Sequence, residues 1–160
     1  MKKTYQGDQS YINFLPGKIA KNWFFGKDAR QIYNIISDDQ KVLSGLKVTK
    51  EQIADRMQFF IDKGNEAIES KIDLEDFQVR VMWSKGKIPC PFAEPGLFHK
   101  TVAVVSNKKL HKQITYSQLN VHLIREHGFF EGKGSSFRLE PEALIEILNF
   151  APWEEKSKNE

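Results

Sequence analysis

Apolar residues recur along this chain with two periods, and each period predicts a different backbone. From residue 49 the spacing is helical. Ile53, Met57, Phe60 and Ile61 fall at i, i+4, i+7 and i+8, which is one face of a helix. Thr49-Lys-Glu-Gln52 precedes them as a capping box, whose hydroxyl and amide satisfy free backbone N–H groups, and Gly64 marks the expected stop or a break before a further turn through Ala67-Ile68. A looser helical spacing runs from Lys18 to Ile36 and breaks at Gly26. It predicts two short helices joined near Phe24–Asp28, with Asp28 as N-cap of the second.

From Asp76 the period becomes two. Phe77, Val79, Val81 and Trp83 alternate with Gln78, Arg80 and Met82, which predicts a strand with one buried face and places Trp83 in the core. Ser84–Lys87 reads as a turn, and two prolines keep Ile88–Phe92 out of the interior of a sheet. Leu97–Ser106 is a second strand, ended by Asn107–Lys109. Thr115-Tyr-Ser-Gln118 reads as a second capping box, for a helix that carries Leu119 and Leu123 and stops at Gly128. Phe129-Phe130 and Phe137–Leu139 flank Glu131–Ser136, a glycine-rich hairpin signal. Pro141 suits the first turn of a closing helix with Leu144, Ile145, Leu148 and Phe150. The pattern predicts an α+β fold: N-terminal helices, a small mostly antiparallel sheet, and a C-terminal helix-hairpin-helix segment. Residues 1–153 read as one globular domain and 154–160 as a frayed tail.

Composition fits a folded chain. Hydrophobic residues make up 40% and charged residues 28% of 160, enough for a core without a disulfide or metal staple. The start lacks the apolar run of a secretory signal, and no stretch is long enough to span a bilayer, so a cytoplasmic protein with no membrane partner is expected. Net charge is +3, but it is unevenly spread: +4 over residues 1–36, −4 over 37–79, +7 over 80–139 and −4 over 140–160. A basic stretch of that size attracts phosphate backbones if the fold gathers it on one face.

The run VHLIREHGFFEGKGSSFRLEPEALIEIL, within residues 115–150, resembles the second half of winged-helix DNA-binding domains of the metal-sensing repressor type. The resemblance implies a regulatory, non-catalytic protein with nucleic acid as partner. The helix from Tyr116 to His127 would enter the major groove, with Gln118, Asn120 and His122 near base edges. Lys133 and Arg138 would meet phosphate or the minor groove, and the closing helix would support a homodimer. Lys108, Lys109, Lys112 and Arg125 would add phosphate contacts. The preceding segment TVAVVSNKKLHKQI looks extended, where a winged helix has a scaffold helix.

Two other functions are open to the sequence. One is a protein-interaction or accessory module, of the phage- or plasmid-inhibitor kind, with exposed aromatics at Trp23–Phe25. The other is a small enzyme pairing Cys90 with His99, the thiol held in a proline-flanked loop. No metal site and no cofactor are expected. Cys90 is the only cysteine, and His122 and His127, five apart, lie about 140° apart around a helix. The acids Glu66, Glu69, Asp73, Glu75 and Asp76 read as a solvated face, and the chain has neither GxxxxGK[ST] nor GxGxxG. Aromatic residues interleave with bases at Lys21–Lys27 and Arg80–Lys85, a pattern that can stack nucleobases. If six of the bases meet phosphates, DNA affinity falls with about the fifth power of salt concentration, which a filter-binding titration checks.

Overall fold

The computed structural model describes residues 24–67, 70–92 and 96–148. The fold is α+β. Two helices, α1 (Ile32–Leu46) and α2 (Lys50–Asn65), lead into β1 (Lys71–Leu74), β2 (Phe77–Pro89), β3 (Leu97–Asn107) and β4 (Lys112–Ser117). Then come α3 (Gln118–His127) and α4 (Pro141–Leu148). The four strands form one antiparallel sheet in sequence order. The first predicted helix, Trp23, Phe150 and the tail lie outside the described residues.

α2 follows its sequence pattern closely. Thr49 and Gln52 exchange both capping-box hydrogen bonds, and Ile53, Met57, Phe60 and Ile61 are buried. Gly64 does not stop the helix, which continues to Asn65. A Cβ at Gly64 would collide with the Val81 side chain, so the glycine lets α2 lie close on the sheet.

α1 runs ten residues past the Ile36 end expected from apolar spacing. Asp39 takes a buried position in the middle of its inner face and so interrupts that spacing. Asp28 is not its N-cap; Gln31 is, and Asp28 instead accepts hydrogen bonds from Arg30 and from the Lys133 backbone N–H.

Ser84–Lys87 is no turn. β2 continues through it with a register shift between Ser84 and Lys87, and Gly86 adopts φ 96°. Pro89 pairs with Leu97 at the end of the strand, where a missing N–H costs little. Trp83 is 52% exposed, so it is not a core anchor, and its Nε1 donates to Asn65 Oδ1 at 3.0 Å. The second capping box sits two residues later than expected: Ser117 caps α3 with Asn120. The expected hairpin over 129–139 is absent, and residues 128–140 form an irregular segment.

Helices α2, α3 and α4 pack on one face of the sheet. Their main core joins Phe60 and Met57 to Val79, Val81, Ala103 and Val105. A second cluster surrounds Cys90 with Phe24, Phe25, Leu119, Leu123 and Phe129. Among the described residues no helix is long and apolar enough to cross a membrane.

Gly64→Ala is expected to destabilise the fold by about 1–3 kcal/mol through overpacking against Val81. Gly45→Ala, at a helical position with open space around it, should be neutral or stabilising by up to about 1 kcal/mol. Urea unfolding of the two variants checks the contrast.

Candidate functional site

α3 is fixed at both ends. The Ser117–Asn120 box opens it, and Gly128, at φ 64° and ψ 25°, closes it while the Phe129 N–H reaches back to Leu123 O at 3.1 Å. Between these ends Leu119, Val121, Leu123 and Ile124 are buried, so α3 lies between the two apolar clusters.

The residues expected at a nucleic acid are committed to internal partners to different degrees. Asn120 is fully buried, with its Nδ2 donating to Glu131 Oε2 at 2.7 Å. Gln118 exchanges hydrogen bonds with Gln58. Arg138 has a side chain 7% exposed, held by Asp39 at 2.6 Å and by Glu140 at 3.1 Å. Lys108 pairs with Asp73, Lys109 with Asp76, Lys112 with Glu146 and Arg125 with Asp55. Exposed pairs of this kind exchange readily, so pairing alone leaves those four within reach of a phosphate. Burial removes Asn120 and Arg138 as base or phosphate contacts in this conformation. Lys133 is exposed, its backbone N–H tied to Asp28.

The structure does assemble a cluster of a different kind. Cys90 Sγ lies 3.7 Å from Nε2 of His127. His122 joins them: one ligand atom from each of the three residues lies within 4.8 Å of the other two. The His122 and His127 rings meet edge to face at 5.5 Å. Phe92 stacks flat on His127 at 3.9 Å and Phe98 leans on His122 at 4.4 Å, which fixes both imidazoles. Helical angle sets the Cβ atoms of the two histidines apart but not their rings. His127 is the last helical residue, and both rings swing toward the end of β2. His-x4-His after a cysteine is itself a zinc-ligand spacing, and that was the readable signal. His99 stands in β3 opposite Lys87, exposed.

The donors are one thiol and two imidazoles, a set that suits zinc and similar borderline-soft ions better than magnesium or calcium. A zinc ion shared by a thiolate at about 2.3 Å and an imidazole at about 2.0 Å sets sulfur and nitrogen about 3.5 Å apart. The observed 3.7 Å is close to that separation.

A second feature lies on the other side of Leu119. A cavity of about 390 Å³ opens between the β2–β3 ribbon and residues 131–137. Glu131 lines it, 4% exposed and with backbone φ 68°. Its two oxygens accept from Asn120 Nδ2 and Ser135 Oγ, and burial raises its pKa to about 7. Comparison with family models, curated proteins and solved structures gives no match to this chain.

Two outcomes are expected. Glu131 binds its proton more tightly when folded than when unfolded, so its contribution is greatest below pH 4.5 and lost as pH rises toward about 7. Glu131→Gln should flatten the stability–pH profile in that window, by at most about 3 kcal/mol. Asp39→Ala leaves the Arg138 guanidinium without its main buried partner and should cost about 3–5 kcal/mol in denaturant titration.

Proposed function

We propose that this chain is a zinc-binding protein whose Cys90, His122 and His127 hold the ion between the end of β2 and the C-terminal end of α3. The observation that carries the reading is the convergence of three donor atoms of the right chemistry within 4.8 Å. Water or a further side chain completes the tetrahedron. Bound there, the ion fastens two elements far apart in sequence and supports the second apolar cluster, of which Cys90 is a member.

A thiol–imidazole enzyme fits the same residues less well. Cys90 has no solvent exposure, so a substrate has no path to its sulfur in this conformation. Nucleic-acid binding through α3 draws less support from the geometry than the sequence suggested. The apolar side chains of α3 are buried, and Asn120 is sealed against Glu131.

The protein purified without chelator should carry close to one zinc per chain by elemental analysis. Cys90→Ser and His127→Asn should each abolish stoichiometric loading, and cobalt should give the absorption of a thiolate-bound tetrahedral ion in the parent chain only. Free zinc a thousandfold above Kd should add about 4 kcal/mol to the unfolding free energy. A folded native protein that carries no transition metal and gains no stability from added zinc overturns the reading.

A further inference from the structure

The cavity beside α3 is separate from the Cys–His cluster and does not depend on the zinc reading. Its walls are mainly apolar: Phe24, Ile88, Val102, Leu119 and Phe137. Ser84, Ser117 and Ser136 add hydroxyls, and charged or titratable groups enter at two places. Glu131 is almost wholly buried, whereas His99 and Lys100 are exposed residues of β3. A negative group therefore stands at the inner end and positive or titratable groups at the rim.

We infer that this cavity binds a small zwitterion with an apolar body, its ammonium group received by Glu131 and its carboxylate held at the rim by Lys100 and His99. A site of about 390 Å³ has room for a molecule built on a single ring. The Glu131 carboxylate is already aimed. Asn120 Nδ2 and Ser135 Oγ each take one lone pair of one oxygen, leaving each oxygen a further acceptor position. Backbone geometry supports the assignment. Glu131 holds a positive φ of 68°, unusual for a residue with a side chain, while Arg138 Nη1 donates to its carbonyl at 2.8 Å. Strain of this kind is kept where the surroundings enforce it, and here it accompanies a carboxylate facing an apolar space. An ammonium ion inside would meet the carboxylate directly, whereas the Arg138 guanidinium acts on it only through space, being bound to Asp39, Glu140 and the Glu131 backbone carbonyl.

The charged or titratable groups on or near the cavity are His99 and Lys100 from β3, and Glu131 and Arg138 from the segment after α3. The ligand requires ionised Glu131, so its affinity rises with pH as that carboxyl ionises near pH 7.

The test compares three probes by titration calorimetry on the full chain: 4-(aminomethyl)benzoate, 4-methylbenzoate, which lacks the amine, and 4-methylbenzylamine, which lacks the carboxylate. The zwitterion should bind best, and loss of the amine should weaken binding by at least about tenfold. Glu131→Gln should remove the advantage of the zwitterion over 4-methylbenzoate. Val102→Phe, which fills the wall and leaves Glu131 in place, should abolish binding of all three, and so carries the test if the Glu131 variant does not fold. The inference is overturned if 4-methylbenzoate binds as tightly as the zwitterion, if the folded Val102→Phe protein binds unchanged, or if no probe binds at millimolar concentration.

Discussion

A guanidinium taken out of water must meet carboxylates and carbonyls, and the Arg138–Asp39 pair is where this chain meets that constraint. Segment 128–140 has no helix or strand of its own to satisfy its backbone. It is held by backbone hydrogen bonds to residues 24–27 and within itself, and by side chains, Asp39 of α1 among them. Asp39 clamps Arg138, Arg138 in turn fixes the Glu131 carbonyl, and Asp28 receives the Lys133 N–H. With that segment in place, Phe129 and Phe130 enter the two apolar clusters, and Glu131 turns into its cavity. The Gly128 turn at the start of the same segment ends α3 just after His127. Both candidate sites therefore rest on one buried ion pair between residues nearly a hundred positions apart.

The same geometry explains which parts of the chain could be read in advance. α2 was legible because its apolar stripe and its cap agree, and β2 and β3 because alternation survives over several residues. The glycines misled. Gly132 predicted a hairpin, but its work is close approach: a Cβ there would strike the Phe25 backbone, and a Cβ on Gly26 would strike Ser135. The segment pairs with residues 24–27, through Gly132 N–H to Phe24 O and Lys27 N–H to Lys133 O, and closes on itself without strands through Leu139 N–H to Phe130 O. Local turn chemistry cannot reveal a partner a hundred residues away. β1 was hidden by its brevity and its charges. Of the candidate chemistry, the proline-flanked loop singles out Cys90, but nothing local tells that His127 and not His99 lies beside it. Helical angle alone sets His122 and His127 apart, and the end of β2, which meets both, lies outside α3.

Charge tells a similar story. The acidic stretch over 37–79 and the basic stretch over 80–139 look in sequence like separate surfaces. In the fold they meet: Lys108 with Asp73, Lys109 with Asp76, Arg125 with Asp55 and Arg138 with Asp39. Segregation along the chain becomes pairing across it.

The β2–β3 ribbon reaches beyond the rest of the sheet. β1 covers β2 only as far as Arg80, and β4 covers β3 only from Val102, so residues 81–89 and 97–101 have only each other as strand partners among the described residues. Such a ribbon has two unpaired edges, each a template on which a foreign strand could grow. Lys85, Lys87 and Pro89 occupy one and Lys100 stands near the other, and the offset at Ser84–Lys87 twists the first out of a flat line. Ammonium groups, a missing donor and a bend together discourage edge-to-edge growth. The exposed aromatic Trp83 thus sits on an edge strand whose neighbouring lysines and proline disfavour the addition of another strand.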